Sequence, residues 1–457
     1  MFSTDDTIAA VATPPGPGGL GVVRISGPHA EDLARRVLAL DRPLVPRHAT
    51  FTRVIDPSAS RDASALDQVV ATYFAAPHSY TGEDVVEISA HGSPVVLQAI
   101  VGAALRCGAR LAEPGEFTLR AFLNGRMDLV QAEAVADLVD AVTPAQARAA
   151  FDQLEGTLTR AIAAIDRRLF DLIARLEASI DFPDEGYHFI TTEEIGRELA
   201  LIVDGLADLV RDGEAGRILR EGRQVAIAGK PNVGKSTLFN QLLRTERAIV
   251  TPIAGTTRDL VSETVEIEGI RVCLVDSAGM RETTNTIERE GVLRARGAAA
   301  VADLVIVVLD RSRALEADDW AILQATKDRP RVVIVNKCDL PAAWALEELG
   351  SDAVAVSLKS SDGVEVIRKV LAATISERQP FRDIPAVTNV RHLALLNKAL
   401  GALTTAREAV SREIGREPEE ILLLDLKSAI EALEEVTGRR TTEDLLRHIF
   451  SRFCVGK

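Results

Sequence analysis

A chain of 457 residues has room for roughly two to four domains, and its 47% hydrophobic content supports sizeable cores. Aromatics are only 4%, so packing must rest on Ala, Leu, Val and Ile, a composition that favours helix. The formal net charge of −14 excludes nucleic-acid binding by overall attraction and leaves a local basic patch as the remaining route to a polyanion.

The cysteines, Cys107, Cys273, Cys338 and Cys454, include no C-x-x-C pair, so neither a zinc site nor a redox motif is supported. The first basic residue is Arg24, unlike the charged start of a secretory signal. With no run near the ~20 apolar residues of a membrane span, a reducing, cytoplasmic setting is the expectation.

Residues 1–120 mix strands and helices. The turn-dense Thr13-Pro-Pro-Gly-Pro-Gly-Gly19 is followed by a predicted strand over 20–25. Further strands are predicted over 67–74 and 84–89, and a helix over 94–107 ending at Gly108. The reading is an α+β domain. From about 121 the pattern turns helical. Apolar residues recur at three and four spacing through Leu154, Leu158, Ile162, Ile165, Leu169, Leu172 and Ile173. This predicts one helix from the Thr143-Pro144 cap to near Asp181-Phe-Pro183. A second long helix follows from Glu194 to about Arg217. Strands alternate with helices over 219–379, which predicts a doubly wound sheet. Helical periodicity then returns over 391–414, 421–436 and 442–450. The expected organisation is multidomain α/β and α+β: an N-terminal domain over 1–120, a helical domain from 121–218 plus 380–457, and an inserted domain over 219–379.

That inserted segment carries the chemistry. Gly229-Lys-Pro-Asn-Val-Gly-Lys-Ser236 fits G-x-x-x-x-G-K-S/T. It lies between an apolar run, 224–228, and a helical one opening at Thr237. Glycines let backbone N–H groups close around phosphates, and the helix N-terminus adds a favourable dipole. Lys235 is assigned to the β- and γ-phosphate oxygens and Ser236 to Mg²⁺. Asp276-Ser277-Ala278-Gly279 fits D-x-x-G after a strand, with Asp276 in the metal shell and the Gly279 N–H near the γ-phosphate. Asn336-Lys337-Cys338-Asp339 fits N-K-x-D. Its carboxylate can accept two N–H bonds from guanine, whereas adenine would leave it buried and unpaired at about 1–3 kcal/mol per unmet bond. Ser357-Leu358-Lys359 is the candidate base lid. Gly255-Thr-Thr-Arg-Asp259 is the candidate first switch, with Thr257 as a second Mg²⁺ ligand. The order and spacing read as a GTP site of the P-loop class. Where many small GTPases place Gln after D-x-x-G, this chain has Met280, whose thioether cannot orient water.

The chain resembles the MnmE (TrmE) family of tRNA modification GTPases over its whole length. The anchors are Ala12–Gly19, Ser79-Tyr-Thr-Gly-Glu-Asp84, Pro114-Gly-Glu-Phe117, Arg120-Ala-Phe-Leu-Asn124, Asp181-Phe-Pro-Asp-Glu185, Ala254–Asp259 and Phe453-Cys-Val-Gly-Lys457. Ser277 and Val455 stand where Thr and Ile are usual in the family.

The resemblance implies a homodimer that binds GTP, Mg²⁺, K⁺ and a reduced folate, 5-formyl- or 5,10-methylene-tetrahydrofolate. With a flavoprotein partner (MnmG or GidA) it would place an aminomethyl or carboxymethylaminomethyl group on carbon 5 of the wobble uridine, position 34, of certain tRNAs. The N-terminal domain would bind folate and dimerise. Asn232, Thr251, Ile253 (by its carbonyl) and Thr256 would form the potassium shell. The nucleotide contacts would also take in Val233, Gly234, Thr237, Pro252 and Ala254. Glu288 would position the attacking water; from the residues alone it reads as one solvated charge among Glu282, Glu288 and Glu290. Arg24, Glu87, Arg126 and Lys457 match the folate contacts; otherwise they are ordinary surface charges. Cys454 is either a nucleophile, with Arg447, His448, Arg452 and Lys457 lowering its pKa, or a small apolar residue beside Phe453. Arg439-Arg440 either faces tRNA or folate or is a solvated helix face, and His91 is read as structural.

Two other function classes compete. A ribosome-assembly GTPase would bring a K-homology context or basic tail domain, which this sequence lacks. A folate-dependent aminomethyltransferase with a regulatory GTPase insert would use the same motifs.

Overall fold

The computed structural model describes residues 4–38, 40–56, 65–181, 190–245, 262–276, 302–349, 353–376, 387–412 and 419–456. The chain forms two compact units, one of 1–136, 153–199 and 401–457, the other of 137–152 and 200–400.

The first unit opens with β1 (Ile8–Val11), β2 (Gly18–Ser26), α1 (Ala30–Val37), β3 (Ala49–Val54), β4 (Asp67–Phe74), β5 (Val85–Gly92), α2 (Pro94–Arg106), β6 (Arg110–Leu111) and α3 (Glu116–Leu123). The strands form one sheet in the order β3-β4-β5-β2-β1-β6. It is antiparallel except where β1 meets β6. Alternation sets its faces. Val23, Ile25, Val69, Ala71, Val86, Ile88 and Ala90 bury against Leu33 and Val37 of α1 and Leu97 and Ile100 of α2. A Cβ on Gly21 would lie 2.4 Å from the Leu97 side chain, so glycine lets α2 seat closely on β2.

Helices follow as α4 (Leu129–Val139), α5 (Pro144–Leu154), α6 (Thr157–Asp181) and α7 (Thr192–Glu221). The single helix expected from Thr143 to Asp181 is two helices. Gly156 adopts φ +81°, which ends α5 before α6 restarts. The apolar spacing ran through the break and concealed it. Thr143 does cap α5: its Oγ1 accepts from Gln146 N at 3.2 Å while Gln146 Oε1 accepts from Thr143 N at 3.2 Å. Thr191 and Glu194 cap α7 in the same reciprocal way.

The second unit's strands are β7 (Arg223–Ala228), β8 (Ser262–Ile267), β9 (Ile270–Asp276), β10 (Leu304–Asp310), β11 (Arg331–Asn336) and β12 (Ala353–Ala355). Its further helices are α8 (Lys235–Thr245), α9 (Ala317–Ala325), α10 (Ser361–Ser376) and the first part of α11 (Val390–Arg412). The strand order β12-β11-β10-β7-β9-β8 is parallel except for the antiparallel edge strand β8. Every residue of β10 is buried, as expected for a parallel strand covered on both faces. Ile306 and Val308 pack with Leu238 on one side. Val305, Val307 and Leu309 pack with Ile322 and Trp344 on the other. The last carbonyls of α7 are held by side chains: Gln146 Nε2 donates to Leu219 O at 2.9 Å and Arg220 O at 3.0 Å, and Arg271 Nη1 to Arg220 O at 3.3 Å. The strands β7 and β9 leave from this anchored end.

The chain closes with α12 (Glu419–Thr437) and α13 (Glu443–Phe450) in the first unit. Ion pairs Arg439–Asp166 at 3.0 Å and Lys427–Glu177 at 2.7 Å run α12 antiparallel to α6. Leu446, Ile449 and Phe450 of α13 bury against Leu119 and Leu129. The final residues then return to the N-terminal sheet. Val455 bridges Pro114, Cys454 O accepts from Gly115 N at 3.4 Å, and Gly456 O accepts from Arg24 Nη1 at 3.3 Å.

The side chain of Arg120 is 1% exposed and ties this region together. It meets Asp6 at 2.5 Å, Glu116 at 3.0 Å and Glu83 at 3.2 Å. Arg110 meets Glu116 and Asp6, each at 2.6 Å. Burial alone would raise the Asp6 and Glu116 carboxyls, but hydrogen bonds from Arg110 and Arg120 outweigh it and hold both below the usual range. Arg120→Ala leaves this acidic cluster without its buried cation and is expected to cost about 3–5 kcal/mol near neutral pH. Because the folded carboxyls are depressed, their contribution is full above about pH 5 and fades as pH falls through their folded values. Urea unfolding at pH 7 and pH 3.5 should therefore show a penalty that shrinks in acid; a pH-independent or negligible penalty would contradict the assignment.

Candidate functional site

The phosphate loop joins β7 to α8, as the strand-loop-helix reading requires. Its backbone is set by three residues at positive φ: Gly229 at +146°, Asn232 at +64° and Gly234 at +113°. A Cβ on Gly229 would lie 2.4 Å from Val308 O, and one on Gly234 2.3 Å from Asn336 Nδ2. Glycine at both places lets the loop press on β10 at one end and on the N-K-x-D segment at the other. Lys235 opens α8, and its Nζ donates to Lys230 O at 2.7 Å, spanning the loop. Val233 is buried, while Asn232, Ser236 and Thr237 are exposed. Asp276 ends β9, whose register sets it beside Ile227 of β7. D-x-x-G thus starts next to the strand that delivers the phosphate loop.

Asn336 ends β11 and is 4% exposed. Its Nδ2 donates to Val233 O at 2.8 Å and its Oδ1 accepts from Leu358 N at 3.0 Å. One amide therefore joins the phosphate loop to the base lid. Lys337, at φ +65°, donates to Asp310 Oδ2 at 2.6 Å. Burial would raise Asp310, but Lys337 and Ser312 hold it below the usual carboxylate range. Gln241 of α8 adds a bond from Nε2 to Leu358 O at 2.6 Å. The Asp339 side chain is 31% exposed, with Ser357 Oγ at 2.8 Å and Lys359 Nζ at 3.0 Å. Lys359 first, then Ser357, keeps its carboxyl below its ordinary value, ionised and ready to accept hydrogen bonds. The Asn336, Lys337, Asp339, Ser357, Leu358 and Lys359 of the sequence reading thus converge. Asp310, Ser312 and Gln241 were missed, since nothing local marks them.

Thr251, Pro252, Ile253, Ala254, Gly255, Thr256, Thr257, Ser277, Ala278, Gly279 and Glu288 lie outside the described residues, as does Lys457.

A separate cluster forms in the first unit. Arg24 and Glu87 are partners in the β2–β5 register, and both Nε and Nη2 of Arg24 reach Glu87 Oε1, at 3.0 and 2.8 Å. The Arg24 guanidinium lies 5.0 Å from the Tyr80 ring centre and 5.5 Å from that of Phe117. Arg126 is exposed beside Gly82, where a Cβ would lie 3.1 Å from Arg126 Cγ. Cys454 is exposed, next to the buried Phe453. Of the cations named around it, Arg447 pairs with Glu443 at 2.9 Å and Arg452 Nη2 lies 2.9 Å from His448 Nε2. The basic pair is engaged by acids: Arg439 by Asp166, Arg440 by Glu431 at 2.5 Å. His91 pairs with Asp67 at 2.8 Å.

The Asn336 bridge yields a direct test. Asn336→Ala removes both bonds and leaves buried backbone groups at Val233 and Leu358 unpaired, at about 1–3 kcal/mol each. Urea unfolding should report a loss of that order together with weaker GDP binding. Wild-type stability and affinity would show that the bridge is dispensable.

Comparison with known proteins bears on the whole length. A profile described as the MnmE helical domain matches residues 129–454, and one described as the GTP-binding protein TrmE N-terminus matches 7–126. A protein of Koribacter versatilis named tRNA modification GTPase MnmE is 43% identical over 460 residues, covering 100% of both chains. Proteins of the same name from Aquifex aeolicus and Chloroflexus aurantiacus are 42% and 43% identical, covering 99% of this chain and 100% of theirs. With such similarity along its full length, the chain belongs to the MnmE (TrmE) family of tRNA modification GTPases.

Proposed function

We propose that this chain is a GTP-hydrolysing enzyme of tRNA modification. With a flavoprotein partner it adds an aminomethyl or carboxymethylaminomethyl group to carbon 5 of the wobble uridine. The observation that supports the nucleotide part of this reading is the tie through Asn336, which joins the phosphate loop to the segment where Asp339, Ser357 and Lys359 meet. None of the helices among the described residues is long and apolar enough to cross a membrane.

The roles rest on the family resemblance together with the chemistry of each residue. Lys235 and the loop N–H groups hold the β- and γ-phosphates. The Ser236 hydroxyl, the Asp276 carboxylate and Thr257 suit Mg²⁺, a hard cation that prefers oxygen. The amide oxygen of Asn232, on an exposed positive-φ turn, suits a monovalent cation; with Thr251, Ile253 and Thr256 it forms the proposed potassium shell. When bound, K⁺ supplies positive charge near the β- and γ-phosphates. Glu288 positions the water that Met280 cannot. Within the first unit, the cationic Arg24 suits the glutamate tail of a reduced folate and Glu87 the pterin N–H groups, with Arg126 and Lys457 completing the set. The folate supplies the one-carbon unit. The domain division is 1–120 for folate binding and dimerisation, 121–218 plus 380–457 for the helices, and 219–379 for the inserted GTPase.

Wobble-uridine analysis of tRNA from a null strain, with and without the restored gene, tests the reading as a whole. Normal uridine modification in the null strain would overturn it and favour a ribosome-assembly role. For the hydrolytic step, Glu288→Ala should leave GTP affinity near wild type and slow hydrolysis by about 10²-fold or more. Hydrolysis should also run faster in K⁺ than in Na⁺ at matched ionic strength, and Asn232→Ala should erase that difference.

The tail contact generates a further expectation. Since Gly456 O accepts from Arg24, deleting residues 453–457 should weaken binding of 5-formyltetrahydrofolate in calorimetry. GTP hydrolysis should be largely kept, because the nucleotide ligands lie in the other unit with a core of their own. Unchanged folate affinity would remove Lys457 from the ligand set.

A further inference from the structure

Lys230 belongs to the phosphate loop, but its side chain has none of the roles assigned above. Its ammonium is held from outside the loop. Nζ lies 2.8 Å from Glu316 Oε2 and 2.8 Å from Asp319 Oδ2. The two carboxylates differ in setting. The Glu316 side chain is 73% exposed, whereas that of Asp319 is 5% exposed. Asp319 is also the third residue of α9, where its Oδ2 accepts from the backbone N of Glu316 at 3.0 Å. The α9 N-terminus is thus internally braced before Lys230 reaches it. At its other end Lys230 offers its carbonyl to Lys235 Nζ. The residue links the α9 N-terminus to the lysine assigned to the phosphates.

We propose that Lys230 is a positioning residue for the phosphate site, with Asp319 as its anchor and Glu316 as a minor, solvent-screened partner. The proposal rests on the GTP-binding reading above and deepens it. The physical argument is one of preorganisation. Gly229 can swing through conformations closed to other residues, yet it must stay against Val308 O. A cation locked to a buried carboxylate one residue later removes that freedom before nucleotide arrives, so less ordering remains to be done on binding. Asp319 in turn needs Lys230, since a buried carboxylate is tolerated only when paired and hydrogen-bonded.

A simpler role would be direct attraction between Lys230 and the phosphates. The two make opposite predictions for the acids. If Lys230 acts on phosphate directly, releasing it from its acids should strengthen nucleotide binding. If it positions the loop, losing Asp319 should weaken binding as losing Lys230 does. The experiment uses the full chain with Mg²⁺ and a fluorescent GDP analogue, followed by GTP turnover. Lys230→Ala and Asp319→Asn should each raise Kd by about tenfold, the scale of one charge-assisted bond. Lys230→Ala with Asp319→Asn should be no worse than Lys230→Ala alone, and Glu316→Gln should change little. Lys230→Arg should recover most of the affinity. The Lys230 variants should raise KM for GTP while kcat at saturation stays near wild type, a split that general unfolding would not give. Thermal unfolding identifies any variant that fails to fold, and Lys230→Arg with Glu316→Gln keeps the test open in that event. Tighter binding by Asp319→Asn or Glu316→Gln, or wild-type Kd in Lys230→Ala, would overturn the proposal. Failure of the wild-type chain to bind the GDP analogue would instead overturn the GTP reading.

Discussion

The buried side-chain amide of Asn336 is the constraint on which the nucleotide site depends. An amide offers a donor and an acceptor on one rigid plane, and here they serve different segments, the donor Val233 O and the acceptor Leu358 N. The bonded residues lie 103 and 22 positions away in sequence. No apolar contact could set both at hydrogen-bond precision, because burial is non-directional. A carboxylate would lack the donor and a lysine the acceptor. The close approach of Gly234 to Asn336 Nδ2 follows from the same need: the loop must come near enough for its backbone to be the partner.

Around that bridge, ion pairs fix what the sheet cannot. Lys337 is locked to Asp310, Lys359 to Asp339 and Lys230 to Asp319. These pairs span a range of burial, and their consequences scale with it. The Lys359 side chain that pairs with Asp339 is 78% exposed, so this pair is solvent-screened and adds little stability; what matters there is that the carboxylate is ionised and aimed. Asp310 and Asp319 are buried, so their lysines are obligatory partners. The loops that carry chemistry are held by directional polar contacts, while the sheet beneath them is held by Val, Ile and Leu packed on both faces.

How much was legible in the sequence follows the same division. The strand from 67 to 74 and the strand-loop-helix around Gly229 could be read because their signals are local: alternation, turn residues, a fixed motif spacing. The apolar stripe of α6 was read correctly as buried, yet the helix was drawn too long. Period alone does not register a glycine at positive φ when the stripe continues on both sides of Gly156. The motif residues of the nucleotide site were legible, and those described do converge. Their supports were not. Arg120 finds Asp6 across 114 positions and Lys230 finds Glu316 across 86, and in sequence each is one charge among many. A buried ion pair leaves no periodic trace, because its partners are chosen by the fold. For the basic pair Arg439-Arg440 the sequence left a binding patch and a solvated helix face equally open, and it could not show that acids of α6 and α12 pair with both.

The first unit shows why its two chain ends cannot be considered apart. Arg24 sits mid-strand in β2, where a charge on a sheet face costs little only if it is paired or solvated. It is paired by Glu87 in register and flanked by Tyr80 and Phe117, and it still has a donor left, which reaches Gly456 O. That last contact needs a chain end to come back 432 positions. The docking of α13 makes this return possible: Phe450 and Phe453 bury against the α3–α4 region, and the fit is close enough that a Cβ on Gly115 would lie 2.6 Å from Phe450 O. Gly456 then lies so near Val11 O that a Cβ would approach to 2.2 Å. The tail is therefore part of this unit's packing up to its penultimate residue. The apolar anchor places the tail, and the contact from Arg24 to Gly456 O gives that placement its direction.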